Sequence, residues 1–328
     1  MARLPIHDVL PELIAALARE RQAVLQAPPG AGKTTQVPLT LLDAKLTRGR
    51  ILMLEPRRIA TRAAAIRMAE TLGEPVGQTV GYRMRGEAKA SPDTWIEVVT
   101  EGILTRMIQS DPSLEGIGAI LFDEFHERSL NADLGLALAL ECRAALRPDL
   151  ILLVMSATLD ADPVAQLMGA PLVTSEGQSF PVETLWLPRP RDRNSRFDAD
   201  MAALIEQAIH ETDGSLLAFL PGEGEIRRVM ARLPERPDLD VLPLYGALPF
   251  AQQKKALTPG PRRRLILATA IAETSLTLPD IRVVIDGGQA RRARFDPGSG
   301  MARLVTERVT RAEADQRRGR AGRVAEGV

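Results

Sequence analysis

Two stretches hold the residues whose types and spacing suit them to chemistry. In LQAPPGAGKTTQVP (25–38), Gly30 and Gly32 are followed at once by Lys33, Thr34 and Thr35. Glycines at such positions let successive backbone N–H groups turn toward an anion. A lysine there reaches the β- and γ-oxygens of a polyphosphate, and the next hydroxyl ligates Mg2+. A helix starting at this point would add the positive end of its dipole. Ala27 stands where the first glycine of such a loop usually is. In AILFDEFHERSL (119–130), four apolar residues end abruptly at Asp123 and Glu124. An Asp-Glu pair alone reads as the start of a solvated loop. At the carboxyl end of a buried strand, opposite a phosphate loop, Asp123 holds Mg2+ directly or through water, and Glu124 orients or deprotonates the attacking water. Lys33, Thr34, Asp123 and Glu124 together describe hydrolysis of a nucleoside triphosphate.

Those residues meet only if a sheet delivers them to one edge. Short apolar runs recur at 23–28, 51–56, 96–100, 119–124 and 150–158, separated by stretches of helical periodicity. Strands alternating with helices predict right-handed βαβ units and a mostly parallel sheet. A second series follows at 215–222, 240–246, 263–270 and 282–288. Between the two, SFPVETLWLPRPRDRNSRFD (179–198) is rich in proline, arginine and small polar residues, which predicts a boundary. The expectation is two α/β domains, 1–175 and 176–328.

The bulk properties fit this. A chain of 328 residues has room for two cores, and 45% apolar with 26% charged residues is ordinary for a soluble globular protein. No run approaches the ~18 apolar residues of a membrane span. MARLPIHDVL lacks the apolar centre of a signal peptide, so a cytoplasmic protein with no membrane partner is expected. Cys142 is the only cysteine, which excludes internal disulfides and multi-cysteine metal sites. Net charge is zero, yet five of the 42 basic residues are lysine and the rest arginine, several clustered.

One cluster is DQRRGRAGR (315–323), where Gln316, Arg320 and Arg323 recur at i, i+4 and i+7. That spacing predicts one helical face in the second domain. Arginines brought to a γ-phosphate typically contribute ~10³ to 10⁵ in rate. GAGKTTQ, EPRRIATRAA, TEGILTRMI, DEFH, SAT, LPGEGEI, ATAIAETSLT and QRRGRAGR stand in the order and approximate spacing of the DEAH/RHA group of superfamily 2 helicases. The chain resembles that group over nearly its whole length, and looks most like the bacterial HrpB type. The resemblance implies two tandem RecA-like domains of the P-loop NTPase class and an ATP-dependent RNA helicase core that uses Mg2+. It implies that Gln316 positions water or the γ-phosphate, that Arg320 and Arg323 contact the γ-phosphate across an interdomain cleft, and that Arg67 stacks on the base. His126 would couple Glu124 to Ser156 and Thr158 of SAT. Relatives continue into further carboxyl-terminal domains, so this sequence reads as a core fragment, expected to be monomeric. Phe125 replaces the small residue of the family name.

Aromatic residues are only 3% of the chain, so a groove lined by stacking platforms is not expected and binding should read the backbone. Arg57, Arg58, Arg85, Thr100 and Thr269 fall at predicted strand ends or turns, and in the family such positions line a track for single-stranded RNA. Ala270 stands where the family usually has asparagine, which removes one potential RNA contact. ARRARFDPGSGMARLVT (290–306) has the composition of a hairpin; the family has one near the strand junction, so the resemblance implies a strand-parting role, with a plain surface hairpin as the alternative. No convincing adenine-reading glutamine precedes the phosphate loop, so several nucleoside triphosphates should serve. A DNA helicase or translocase would keep every one of these ATP-site residues, and a nucleotide-dependent binding scaffold would keep the binding ones.

Overall fold

Alternation along the central strands explains how the first part of the chain is built. In the computed structural model, residues 4–157, 161–177, 180–187, 195–273, 278 and 280–328 are described, and the chain divides into two compact units, Met1–Gln178 and Ser179–Val328. The strands of the first unit are β1 (Gln22–Gln26), β2 (Arg50–Glu55), β3 (Val80–Met84), β4 (Glu87–Lys89), β5 (Ile96–Thr100), β6 (Ile117–Phe122), β7 (Ile151–Ser156) and β8 (Leu172–Thr174). They lie in the order β4-β3-β5-β2-β6-β7-β1-β8, parallel except for the β3–β4 hairpin. Ala23, Leu25, Ile51, Met53, Ala119, Leu121, Leu153 and Met155 pack on one face. Val24, Leu52, Leu54, Ile120, Phe122, Leu152 and Val154 pack on the other. Both faces are therefore dry, which is why these strands read as unbroken apolar runs.

Helices supply the two coverings. Helices α1 (Leu10–Glu20), α2 (Lys33–Asp43) and α3 (Arg58–Leu72) bury Leu13, Leu17, Val37, Leu41, Ala65 and Met68 against the first face. On the second lie α4 (Glu101–Ser110), α5 (Leu130–Ala145) and α6 (Asp162–Met168), through Leu104, Leu136, Ala139 and Ala165. Local signals set the ends. Ser129 caps α5 by accepting from the Ala132 N–H at 2.9 Å, and Gly73 takes the left-handed conformation after α3, which favours glycine.

The second unit repeats the plan at smaller size. Strands β9 (Ser215–Phe219), β10 (Leu239–Leu244), β11 (Arg263–Ala268) and β12 (Ile281–Asp286) form a parallel sheet in the order β10-β11-β9-β12. Its helices are α7 (Phe197–Glu211), α8 (Glu223–Met230), α9 (Phe250–Leu257) and α10 (Arg311–Arg318). Strands β13 (Gln289–Asp296) and β14 (Met301–Arg308) form the antiparallel hairpin that the turn composition at 296–300 predicts, with Phe295, Met301 and Leu304 exposed.

Candidate nucleotide-hydrolysis site

The carboxyl ends of β1, β7, β6 and β2 form a row, and the residues singled out in the first unit lie along it. After β1 the chain turns through Gly30 (φ 87°) and Gly32 (φ 96°) into α2. A Cβ on Gly32 would come within 2.7 Å of the Leu4 side chain, so conformation and space both demand glycine there. Ala27 is buried and donates its N–H to the Ser156 carbonyl at 3.0 Å, joining the loop to the end of β7. Thr35 holds the first turn of α2 through its N–H to the Gly32 carbonyl at 3.2 Å.

Lys33 is buried, and its ammonium donates to Glu124 Oε1 at 3.0 Å. Burial works against its charge, but Glu124, Asp123 and Glu55 outweigh burial and hold its pKa above the ordinary lysine value. Thr34 Oγ1 donates to Asp123 Oδ2 at 2.5 Å, and Asp123 Oδ1 accepts the Glu124 N–H at 2.8 Å. Burial raises the Asp123 carboxyl despite Lys33 beside it. Glu124 itself is left-handed at φ 50°, which turns its side chain away from the strand direction. Among non-glycine residues such a conformation costs on the order of 1–3 kcal/mol and persists where surrounding contacts enforce it.

His126 closes the set. Its Nδ1 accepts the Ala157 N–H at 3.2 Å, which assigns the ring proton to Nε2, 3.3 Å from Glu124 Oε2. Burial lowers its pKa, with Glu124 opposing, so the ring is neutral near pH 7. The imidazole thus joins the Asp123-Glu124 turn to the end of β7, where Ser156 is also buried. Thr158 lies outside the described residues. Behind His126 is a cavity of about 90 Å³ lined by Val24, Phe125, Ser156 and Ala161, among others.

Sequence reading passed over one acid in this row. Glu55 ends β2, is 1% exposed, and lies within hydrogen-bonding reach of Asp123. Burial first, then the charges of Asp123 and Glu124, push its carboxyl well above the ordinary glutamate value. The signal was present: ILMLE repeats the pattern of ILFDE, an apolar run ending in an acid.

Other candidates of the first unit sit apart from this row of contacts. Arg57 pairs with Glu127 at 3.1 Å, and Arg58 donates to the Arg85 carbonyl at 2.7 Å. Arg85 lies in the turn of the β3–β4 hairpin, Thr100 is the last residue of β5, and Arg67 is on the exposed side of α3. In the second unit Thr269 directly follows β11.

The predicted helical face bearing Gln316, Arg320 and Arg323 does not form. Helix α10 stops at Arg318, and tighter bonds follow, from Arg320 N–H to the Arg317 carbonyl and from Ala321 N–H to that of Arg318. Gly319 and Gly322 within the motif disfavour helix, and a Cβ at Gly322 would lie 2.5 Å from the Phe180 carbonyl oxygen. Gln316 is therefore helical, while Arg320 and Arg323 belong to the turn. Arg320 is buried and donates Nε to the Glu273 carbonyl at 2.9 Å. Arg317, also passed over in the sequence, is buried with its guanidinium 2.7 Å from Asp286 and 4.7 Å from the centre of the Phe219 ring. It anchors the motif to β9 and β12.

A phosphate loop and a strand-end acid pair at one sheet edge, followed by a second parallel α/β unit ending in an arginine motif, define the tandem α/β class of helicase-type nucleotide-binding folds. The family models agree: residues 9–167 match the DEAD/DEAH box helicase domain and 200–325 the helicase conserved C-terminal domain. The chain belongs to the DEAD/DEAH box helicases, and its two α/β units are the RecA-like pair of that family. It is 54% identical over its whole length to the ATP-dependent RNA helicase HrpB of Escherichia coli, of which it covers 41%. It is 35% identical over 99% of its length to the ATP-dependent RNA helicase HrpA homolog of Haemophilus influenzae, covering 25% of that protein. A crystal structure of the Escherichia coli DEAH/RHA helicase HrpB superposes with a TM-score of 0.93 at 53% identity, over 99% of this chain and 42% of that one. The chain thus spans between a quarter and about two fifths of the length of these relatives. Among the described residues, no helix is long and apolar enough to cross a membrane.

Proposed function

We propose that the chain is the ATP-hydrolysing core of an RNA helicase, in which single-stranded RNA stimulates nucleoside triphosphate hydrolysis. The observation that carries the reading is the linked set Thr34–Asp123 and Lys33–Glu124–His126 at the carboxyl ends of β1 and β6. The phosphates displace Glu124 from Lys33, so substrate binding itself frees the carboxylate to act as general base on water. Gln316, Arg320 and Arg323 stabilise the charge that develops on the γ-phosphate, a role supported by their match to the family motif. Arg67 packs on the base, which leaves base identity loosely read.

The residues present fit Mg2+: buried Asp123, Glu124 and Glu55 surround a single ammonium, and Thr34 Oγ1 adjoins Asp123. Thr34 and Asp123 would hold the ion, and when bound it supplies positive charge to the phosphate oxygens. RNA contacts through Arg57, Arg58, Arg85, Thr100 and Thr269 are supported by their strand-end and turn positions. The hairpin β13–β14 would part strands, which its exposed apolar tip supports. Further carboxyl-terminal domains in the whole protein, a monomeric state and a cytoplasmic location complete the reading. They are supported by the greater length of the relatives, the two self-contained cores and the single cysteine.

The test is turnover with ATP, GTP, CTP and UTP, each with RNA or DNA of one sequence, at fixed low salt because backbone binding falls steeply with salt. RNA is expected to stimulate all four and DNA less, through the missing 2′-hydroxyls. Equal stimulation by DNA would favour a DNA translocase, and none by either a binding scaffold. Turnover of ATP alone would refute the loose reading of the base.

A further inference from the structure

Three carboxylates, Glu55, Asp123 and Glu124, are buried around the single ammonium of Lys33. Asp123 and Glu124 have parts in hydrolysis, and Glu55 has none. Its placement is nonetheless specific. Leu54 registers with Phe122 and its carbonyl accepts the Asp123 N–H at 3.0 Å, so Glu55 and Asp123 leave neighbouring strands side by side. Glu55 Oε2 is buried and has no hydrogen-bond partner among the described residues. An unmet buried acceptor is destabilising, and more so when charged. A position chosen for packing would be apolar, as Ile51 and Met53 on the same face of β2 are. Excess negative charge and an unmet acceptor both call for a small hydrated cation, which brings positive charge and O–H donors together.

We propose that Glu55 is a positioning residue of the divalent-metal site, its Oε2 accepting a hydrogen bond from a water carried by the Mg2+ that Thr34 and Asp123 hold. The inference rests on the nucleotide-site reading above. Mg2+ keeps several of its waters in such sites. Among the described residues there is no group of three or more His, Cys, Asp or Glu side chains that could hold a metal ion, which fits an ion with few protein ligands and several waters. Such outer partners typically set ~10- to 100-fold of metal affinity. Glu55 thereby tunes the site toward an ion that retains its hydration shell.

The experiment is binding of a fluorescent, non-hydrolysable ATP analogue to the full chain as free Mg2+ is varied, for the wild type, Glu55→Leu, Glu55→Gln and Asp123→Asn. Leucine removes both the acceptor and the charge, whereas glutamine keeps a neutral acceptor and the contact with Asp123. The half-saturating Mg2+ concentration is expected to rise by about tenfold or more in Glu55→Leu and by less in Glu55→Gln. Metal-free analogue binding should be no weaker in either, because a like charge has left the phosphate site. A purely structural role would weaken metal-free binding and leave the Mg2+ midpoint in place. If Glu55→Leu does not fold, Glu55→Gln decides: a rise of about threefold or more supports the proposal, and an unchanged midpoint overturns it. An unchanged midpoint in folded Glu55→Leu, with Mg2+ dependence in the wild type and its loss in Asp123→Asn, overturns the role of Glu55 alone. Mg2+-independent binding by the wild type overturns both it and the site reading beneath it.

Discussion

Glu124 is held at φ 50°, with the Lys33 ammonium 3.0 Å from one carboxylate oxygen and the His126 ring 3.3 Å from the other. If Glu124 is the general base proposed above, a polyphosphate that takes Lys33 from it would be what frees it to act. His126 is placed to carry such an exchange to another strand, since the same ring accepts from the Ala157 N–H. His126→Ala should therefore leave analogue binding nearly intact while the factor by which RNA stimulates turnover falls roughly tenfold or more. Equal stimulation in the variant, read from steady-state rates, would remove His126 from the coupling. That Lys33 and Thr34 would lie beside Asp123 and Glu124 was readable from sequence because the acid pair closes an apolar run and the Lys33-Thr34 pair follows a glycine after another such run. Glu55 was missed because nothing in the chain order reveals that β2 lies beside β6, so that its terminal acid would meet Asp123.

Elements of the second unit depend on buried arginines more than their amphipathic patterns suggest. Arg264 on β11 is buried, donating Nε to Asp280 at 3.0 Å and another nitrogen to the Ala256 carbonyl at 2.8 Å. Burial alone would raise the Asp280 carboxyl, but hydrogen bonds from Arg264 and Ser215 prevail and hold it below the ordinary aspartate value. A folded-state pKa below the unfolded one contributes stability above the unfolded value, ~3.9, and loses it as pH falls through the lowered folded value. Asp280→Asn should cost about 1–3 kcal/mol at neutral pH, discounted because the Asp280 side chain is 33% exposed. Thermal unfolding is expected to show the gap between variant and wild type closing below pH ~4, and a constant gap would place the cost elsewhere. The same dependence explains the failed helical face. Spacing of Gln316, Arg320 and Arg323 describes a helix, but Gly319 and Gly322 end it, and the inward pull of Arg317 and Arg320 decides the path. That pull comes from β12, the Phe219 ring and the Glu273 carbonyl, tertiary partners invisible to periodicity.

At the scale of the molecule, two series of apolar strand runs were enough to expect two parallel α/β units, because strands buried on both faces carry no polar alternation to obscure them. Strand order was not readable in this way, since parallel neighbours can be far apart in sequence: β1 lies between β7 and β8. With zero net charge, the nucleic-acid binding proposed above would fall to local arginine clusters. In the proposed function, Glu124 drives RNA-stimulated hydrolysis at this site. Its most direct test is steady-state ATP turnover by the wild type and Glu124→Gln, with and without single-stranded RNA, alongside analogue binding. RNA should raise wild-type turnover, and Glu124→Gln should bind the analogue yet lose turnover by about 10²- to 10⁴-fold in either condition. Turnover by Glu124→Gln equal to the wild type would contradict the assignment.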